Sequence, residues 1–150
     1  MEDMLTQAKR KALSLLADMD RTEQQLRMKL KQKSYSDEVI EQALAYVKSF
    51  GYVNDKNYAE RYILGKQKMK SRREIYAELC EKGIDRDIVQ QCLDTCYEEY
   101  DEVETIRLLA TKKNYSNEGS SDVEKRKIYG YFLRKGFQNE DIRQVIQVSF

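Results

Sequence analysis

Cys92 and Cys96 stand four residues apart in a chain of 150 residues that has three cysteines and no histidine. On a helix, that spacing puts both thiols on one face, where they would form half of a metal site or a redox pair. No histidine completes a ligand set, and Cys80 lies outside ligand spacing. The pair therefore reads as small side chains in a core. Carboxylates are densest at Glu98, Glu99, Asp101, Glu102 and Glu104. The sequence offers them no general base of the histidine type, no phosphate-cradling glycine loop and no nucleophile elbow. The run reads as an exposed junction, or as a face that repels a phosphate backbone and so orients the protein. The expectation is a chain that is not an enzyme and needs neither cofactor nor metal.

The basic residues are more suggestive, because they are segregated. Arg61, Lys66, Lys68, Lys70, Arg72 and Arg73 follow one another with no acid between them. Lys125, Arg126, Lys127, Arg134 and Lys135 do the same, and Arg27, Lys29, Lys31 and Lys33 form a smaller set. Cations without interleaved carboxylates suit a phosphate backbone or an acidic protein groove. The plainer reading is a solvated helix surface, and for Arg27–Lys33 it is the preferred one. Tyr62, Tyr76, Tyr129 and Tyr131 interleave with this charge. They could stack on bases, but rim packing is simpler for Tyr76 and Tyr129, which adjoin apolar stripe residues. With 27 basic and 26 acidic residues the net charge is +1, so an anionic partner must be met by a local patch.

The elements that position these residues repeat. Leu26, Leu30, Ser34, Tyr35, Ile40 and Leu44 recur 49 residues later as Ile75, Leu79, Gly83, Ile84, Val89 and Leu93. They recur again, after 53 more, as Ile128, Phe132, Gly136, Phe137, Ile142 and Ile146. Such a period marks stacked copies of one supersecondary unit. Apolar residues recur at three and four, which is helical spacing, and proline is absent. In the middle copy Ser71 and Glu74 form a capping-box pattern, and Gly83 supplies the left-handed residue that ends the helix. Asp85 caps the next helix. Lys33, Lys82 and Lys135 share a helix C-terminal position; Glu38, Asp87 and Glu140 share an N-terminal one, as the helix dipole favours. First helices are expected near Met4–Met19, Asp55–Met69 and Asp101–Lys113. Asn114–Asp122 has loop composition and takes up the longer second offset. The predicted fold is all-α: three tandem three-helix repeats, 1–52, 53–100 and 101–150, forming an elongated, curved array. No apolar run reaches membrane length and Met1–Arg10 is not a signal peptide, so a cytoplasmic monomer is expected.

Phe50-Gly51-Tyr52-Val53-Asn54-Asp55, followed by Tyr58-Ala59, resembles the signature of RecX regulatory proteins. Lys82-Gly83-Ile84 with Ile88 behind it, and Lys135-Gly136-Phe137 with Ile142 behind it, are similar to the family's later repeats. Ala12-Leu13, Leu15-Leu16, Arg21-Thr22-Glu23 and Leu26 fit its first. Ser34, where the pattern has glycine, departs from it. The resemblance covers nearly the whole chain. It implies a negative regulator of RecA that binds the RecA filament on single-stranded DNA and limits its extension, ATPase, strand-exchange and coprotease activities. Weak direct contact with nucleic acid is a further expectation. The alternatives are a helix-turn-helix-like DNA-binding module and a generic helical-repeat adaptor. Acidic residues in the third helices, Asp37, Glu38 and Glu41 in the first, argue against a recognition helix.

Overall fold

The computed structural model describes residues 3–148, and every regular element among them is an α-helix. In chain order these are α1 (Met4–Asp18), α2 (Glu23–Gln32), α3 (Asp37–Ser49), α4 (Asp55–Lys66), α5 (Arg72–Glu81), α6 (Arg86–Cys96), α7 (Glu102–Lys112), α8 (Asp122–Lys135) and α9 (Asn139–Arg143). The fold is thus three tandem three-helix groups, as the periodicity predicts. Helix α4 ends at Lys66, three residues short of the expected Met69.

Local chemistry sets the ends. Thr22 and Gln25 form a full capping box at α2. Ser71 and Glu74 form the predicted one at α5, with bonds of 2.9 and 3.0 Å. Ser36 and Ser121 cap α3 and α8 through their side chains. The three predicted corners all turn through the left-handed region, Ser34 at φ 66°, Gly83 at 89° and Gly136 at 98°. The spacing-derived stripe is the core: Leu26, Leu30, Ile75, Leu79, Val89, Phe132, Ile142 and Ile146 are all fully buried.

The helices gather into two compact units. One runs to Glu60 and takes in Leu79–Val89; the other joins Arg61–Glu78 to the chain from Gln90 onward. In the first, Ala8, Ala12, Leu26, Leu30, Ile40, Ala43, Leu44, Val47 and Val53 pack together. In the second, Ile106, Ala110, Tyr129, Phe132, Phe137, Ile142 and Ile146 do so. Cys92 is buried as expected, whereas Cys80 and Cys96 are half-buried.

One expectation needs correction. Tyr129 is a core residue at 4% exposure, not a rim residue, and Ile128 beside it is only half-buried. The phenol is tolerated inside because its hydroxyl donates to Asn139 Oδ1 at 2.5 Å. The longer second offset falls partly where Asn114–Asp122 predicts it, because the connection 113–121 has nine residues against five in 67–71. Helix α8 is longer as well, with 14 residues against 10 in α5.

One arrangement recurs inside both units. In the first, the fully buried Thr22 accepts from Gln25 N at 3.1 Å and donates its hydroxyl proton to Lys82 O at 2.7 Å. Glu23 N, beside it, donates to Asp55 Oδ1 at 2.9 Å. In the second, the fully buried Ser71 accepts from Glu74 N and donates to Lys135 O. Arg72 N, beside it, donates to Glu102 Oε2 at 3.0 Å. One hydroxyl thus satisfies an orphan amide of its own helix and a terminal carbonyl of the corner that follows α5 or α8. The corners seat closely. A Cβ on Gly83 would lie 2.4 Å from Gln24 Cβ, and one on Gly136 would lie 3.0 Å from Arg73 Cβ. Glycine is needed there for contact as well as for torsion.

Candidate partner interface

All eleven basic residues singled out by charge segregation lie in the second unit. Arg61 and Lys66 are on α4, Lys68 and Lys70 on the connection to α5, and Arg72 and Arg73 in the first turn of α5. The connection is fixed from below. Buried Gln67 donates through its side chain to Cys96 O at 3.4 Å, and its own carbonyl accepts from Thr105 Oγ1. Lys125, Arg126 and Lys127 begin α8, and Arg134 and Lys135 end it. The two ends of this set are far apart, since Lys125 and Arg134 are separated by about 13 Å at the helical rise.

The bond from Ser71 to Lys135 O brings the start of α5 to the end of α8. Arg73 therefore packs beside Gly136, next to Arg134 and Lys135. Other members of the set turn inward. Lys70 is ion-paired with Glu78. Arg72 is ion-paired with Asp94, with its guanidinium 5.2 Å from the Tyr97 ring centroid. Lys135 Nζ lies 3.4 Å from Glu74 Oε2. Burial disfavours the Glu78 carboxylate, but the hydrogen bond and charge of Lys70, with help from Tyr62 and Lys66, outweigh it and hold the group below its ordinary range. Lys66 lies 5.9 Å from the Tyr62 ring centroid. Lys68, Arg73, Arg126, Lys127 and Arg134 have exposed side chains, as does Arg61, and Lys125 is half-exposed. The segregated charge thus divides: one part closes internal ion pairs, and the other faces solvent at the α5–α8 junction and along the first turns of α8.

The acidic run behaves differently from a solvated junction. Asp101 caps α7 by accepting from Val103 N at 2.9 Å. Glu102 is half-buried and caps α5 through Arg72 N. Burial pushes its carboxyl above the ordinary value, with Asp141 and Asp101 adding to the rise against the Arg72 contacts. Arg72, Tyr97, Glu98, Glu99, Tyr100, Asp101, Glu102 and Asp141 line a cleft of about 510 Å³. Burial also pushes the Tyr97 phenol upward.

A second cleft, of about 450 Å³, lies between the end of α7 and the first half of α8. Its lining includes Lys113, Lys127 and Tyr131. The Lys113 ammonium stands 4.0 Å from the Tyr131 ring centroid and that of Lys135 stands 5.4 Å away. Charge segregation missed Lys113, because it lies outside both acid-free runs. A signal was present: Lys127, Tyr131 and Lys135 repeat at i, i+4 and i+8 on α8, which gathers them on one face.

The basic set of the first unit is partly consumed. Arg27 bonds Glu41 Oε1 at 2.8 Å, Gln24 Oε1 at 2.8 Å and Glu23 Oε1 at 3.2 Å. The bonds and charges of Glu41, and then of Glu23, raise the guanidinium pKa against the effect of burial. Among the described residues, no helix is long and apolar enough to cross a membrane.

The sequence matches three family models in order: the RecX first three-helix domain at residues 8–46, the second at 54–93 and the third at 99–146. It is 37% identical over 144 residues to the regulatory protein RecX of Caldanaerobacter subterraneus subsp. tengcongensis, covering 95% of this chain and 71% of that protein. It is 31% identical over 149 residues to that of Clostridium perfringens strain 13, covering 97% of this chain and 70% of the relative. The crystal structure of RecX from Lactobacillus salivarius superposes with a TM-score of 0.82 at 27% identity, over 95% of this chain and 94% of that one. A second crystal structure, of a regulatory protein RecX, shares the fold with a TM-score of 0.81 at 23% identity, over 97% of this chain and 72% of the other.

Proposed function

Because the chain belongs to the RecX family of regulatory proteins, we propose that it is a negative regulator of RecA that binds the RecA–DNA filament. In this reading it limits filament extension and so lowers ATPase, recombinase and coprotease activity. It acts by occupying a surface, with no chemical step of its own. The observation that carries the reading is the ordered set of three RecX domains, which bears solvent-facing cations at one helix junction. Arg73 packs there beside Gly136, Arg134 is exposed two residues before that glycine, and Lys68 lies on the connection into α5. Cations presented beside a tightly seated corner suit the acidic or phosphate-rich wall of a nucleoprotein groove.

The test is ATP hydrolysis by RecA on single-stranded DNA, with this protein at a substoichiometric ratio, together with co-sedimentation on preformed filaments. Inhibited hydrolysis and co-sedimentation are expected. Replacing Lys68, Arg73 and Arg134 with glutamine should weaken filament association with an unchanged helical spectrum, because none of the three closes a described ion pair. Unchanged hydrolysis without filament binding would end the proposal. Tight binding to one duplex sequence instead would favour a DNA-reading module.

A further inference from the structure

The cleft between α7 and α8 lies apart from the residues named above for filament contact, and its lining forms a separate candidate site. Its walls bring together two lysines, three groups able to donate hydrogen bonds, and one carboxylate. Lys113 and Lys127 are exposed, and among the described residues neither closes an ion pair, in contrast to Lys70, Arg72 and Lys135. Asn114, Ser120 and Tyr131 supply the neutral donors, and Glu124 is the carboxylate. The local charge is therefore positive, although the chain as a whole is nearly neutral.

The walls are held in place. Asn117 donates to Val145 O at 3.1 Å and accepts from Gln147 N at 3.1 Å, which ties the connection to the C-terminal segment. Gly119 N donates to Ser116 Oγ at 3.1 Å, which closes the turn. The Tyr131 ring fixes the Lys113 ammonium through a cation–π contact. A small site lined with compact ammonium groups and single donors suits a tetrahedral oxyanion. A planar carboxylate is better matched by the forked guanidinium of arginine, which is absent from this lining. Nor does the site suit base stacking, because ammonium groups already crowd the Tyr131 ring.

We propose that the α7–α8 cleft is a phosphate-ester site, with Lys113 and Lys127 as its charged ligands and Glu124 as an opposing charge that keeps binding weak. The site acts on its own and needs no recombinase, so it stands or falls separately from the reading above. The phosphate could belong to a nucleic-acid strand or to a free nucleotide. Two probes distinguish these sources: fluorescein-labelled oligothymidylate, and ATP bearing a fluorescent ribose label, each titrated with the full chain at low salt.

The variants are Lys113→Gln with Lys127→Gln, Glu124→Gln, and a control with Lys29→Gln and Lys31→Gln, two exposed lysines of the first unit. The cleft double variant should weaken binding about tenfold, and the slope of log affinity against log salt should fall by about 1.4 for two lost single-strand phosphate contacts. Glu124→Gln should tighten binding several-fold. Loss on oligothymidylate alone identifies a strand; loss on both probes identifies a nucleotide-sized site. Binding by the cleft variant that equals the control variant, or no binding of either probe, overturns the proposal. So does binding of an acidic peptide with neither nucleotide probe.

Discussion

Ser71→Ala and Ser121→Ala form a matched pair that isolates the contribution of the bridging hydroxyl. Both serines cap a helix, accepting from Glu74 N at 3.0 Å and from Glu124 N at 3.2 Å. Only Ser71 is buried and also donates to a carbonyl, that of Lys135. Removing an N-cap hydroxyl costs about 1 kcal/mol, and this should be the whole effect at exposed Ser121. At Ser71 the Lys135 carbonyl also loses its donor. An unsatisfied buried acceptor costs about 1–3 kcal/mol, and the lower half applies because Lys135 is only half-buried. The expected destabilisation is therefore about 2–3 kcal/mol for Ser71→Ala against about 1 kcal/mol for Ser121→Ala. Urea unfolding followed by circular dichroism measures both, and both residues report on the second unit. Ser71→Thr should restore most of the loss. Losses at Ser71 and Ser121 that agree within about 0.5 kcal/mol would refute the claim that one hydroxyl joins two helices.

Two further outcomes follow from the corners and the buried acids. Gly83→Ala should cost about 2–4 kcal/mol in thermal or urea unfolding, from left-handed torsion plus overpacking on Gln24, whereas Ser34→Gly should be neutral or stabilising; equal effects at both positions would contradict the packing argument. Glu102 has a folded-state pKa raised mainly by burial, so the folded state binds the proton more tightly, and stability falls as pH rises above the ordinary glutamate value of 4.5. Glu102→Gln keeps an acceptor for Arg72 N and should show a shallower decline over that window; an unchanged pH slope would show that Glu102 is not the group responsible.

Much of this was legible in one dimension. The 3–4 apolar spacing needs only that each helix bury one face, and it located Leu26, Leu30, Ile75, Leu79, Phe132, Ile142 and Ile146 correctly. Gly83 and Ser71 were readable because a left-handed corner and an N-cap leave residue-type signatures within a few positions. The misreadings share a cause: each depends on a partner distant in sequence. Tyr129 takes the buried place expected of Ile128 because its hydroxyl finds Asn139, ten residues on. Glu102 reads as solvent-exposed charge until Arg72 N, 30 residues away, is placed against it. Lys70, Arg72 and Lys135 looked equivalent to Lys68, Arg73 and Arg134 because composition records charge without recording which carboxylate is near.

Ser34 shows how the two kinds of information combine. By the family pattern it is a departure where glycine was expected. The backbone nonetheless turns at φ 66°, so glycine is not required for the torsion alone. Gly83 and Gly136 carry a second demand that Ser34 does not. Each seats against the first turn of another helix, at a distance that a Cβ would violate or crowd. Ser34 is exposed, and its side chain extends into open surface. A left-handed non-glycine residue costs about 1–2 kcal/mol, which a folded domain can absorb at one site. Adding a steric overlap at 2.4 Å would raise that cost to about 2–4 kcal/mol, a large share of a marginal stability of about 5–15 kcal/mol. Glycine is therefore needed where a corner meets a neighbouring helix, and its replacement at Ser34 reflects a corner left open to solvent.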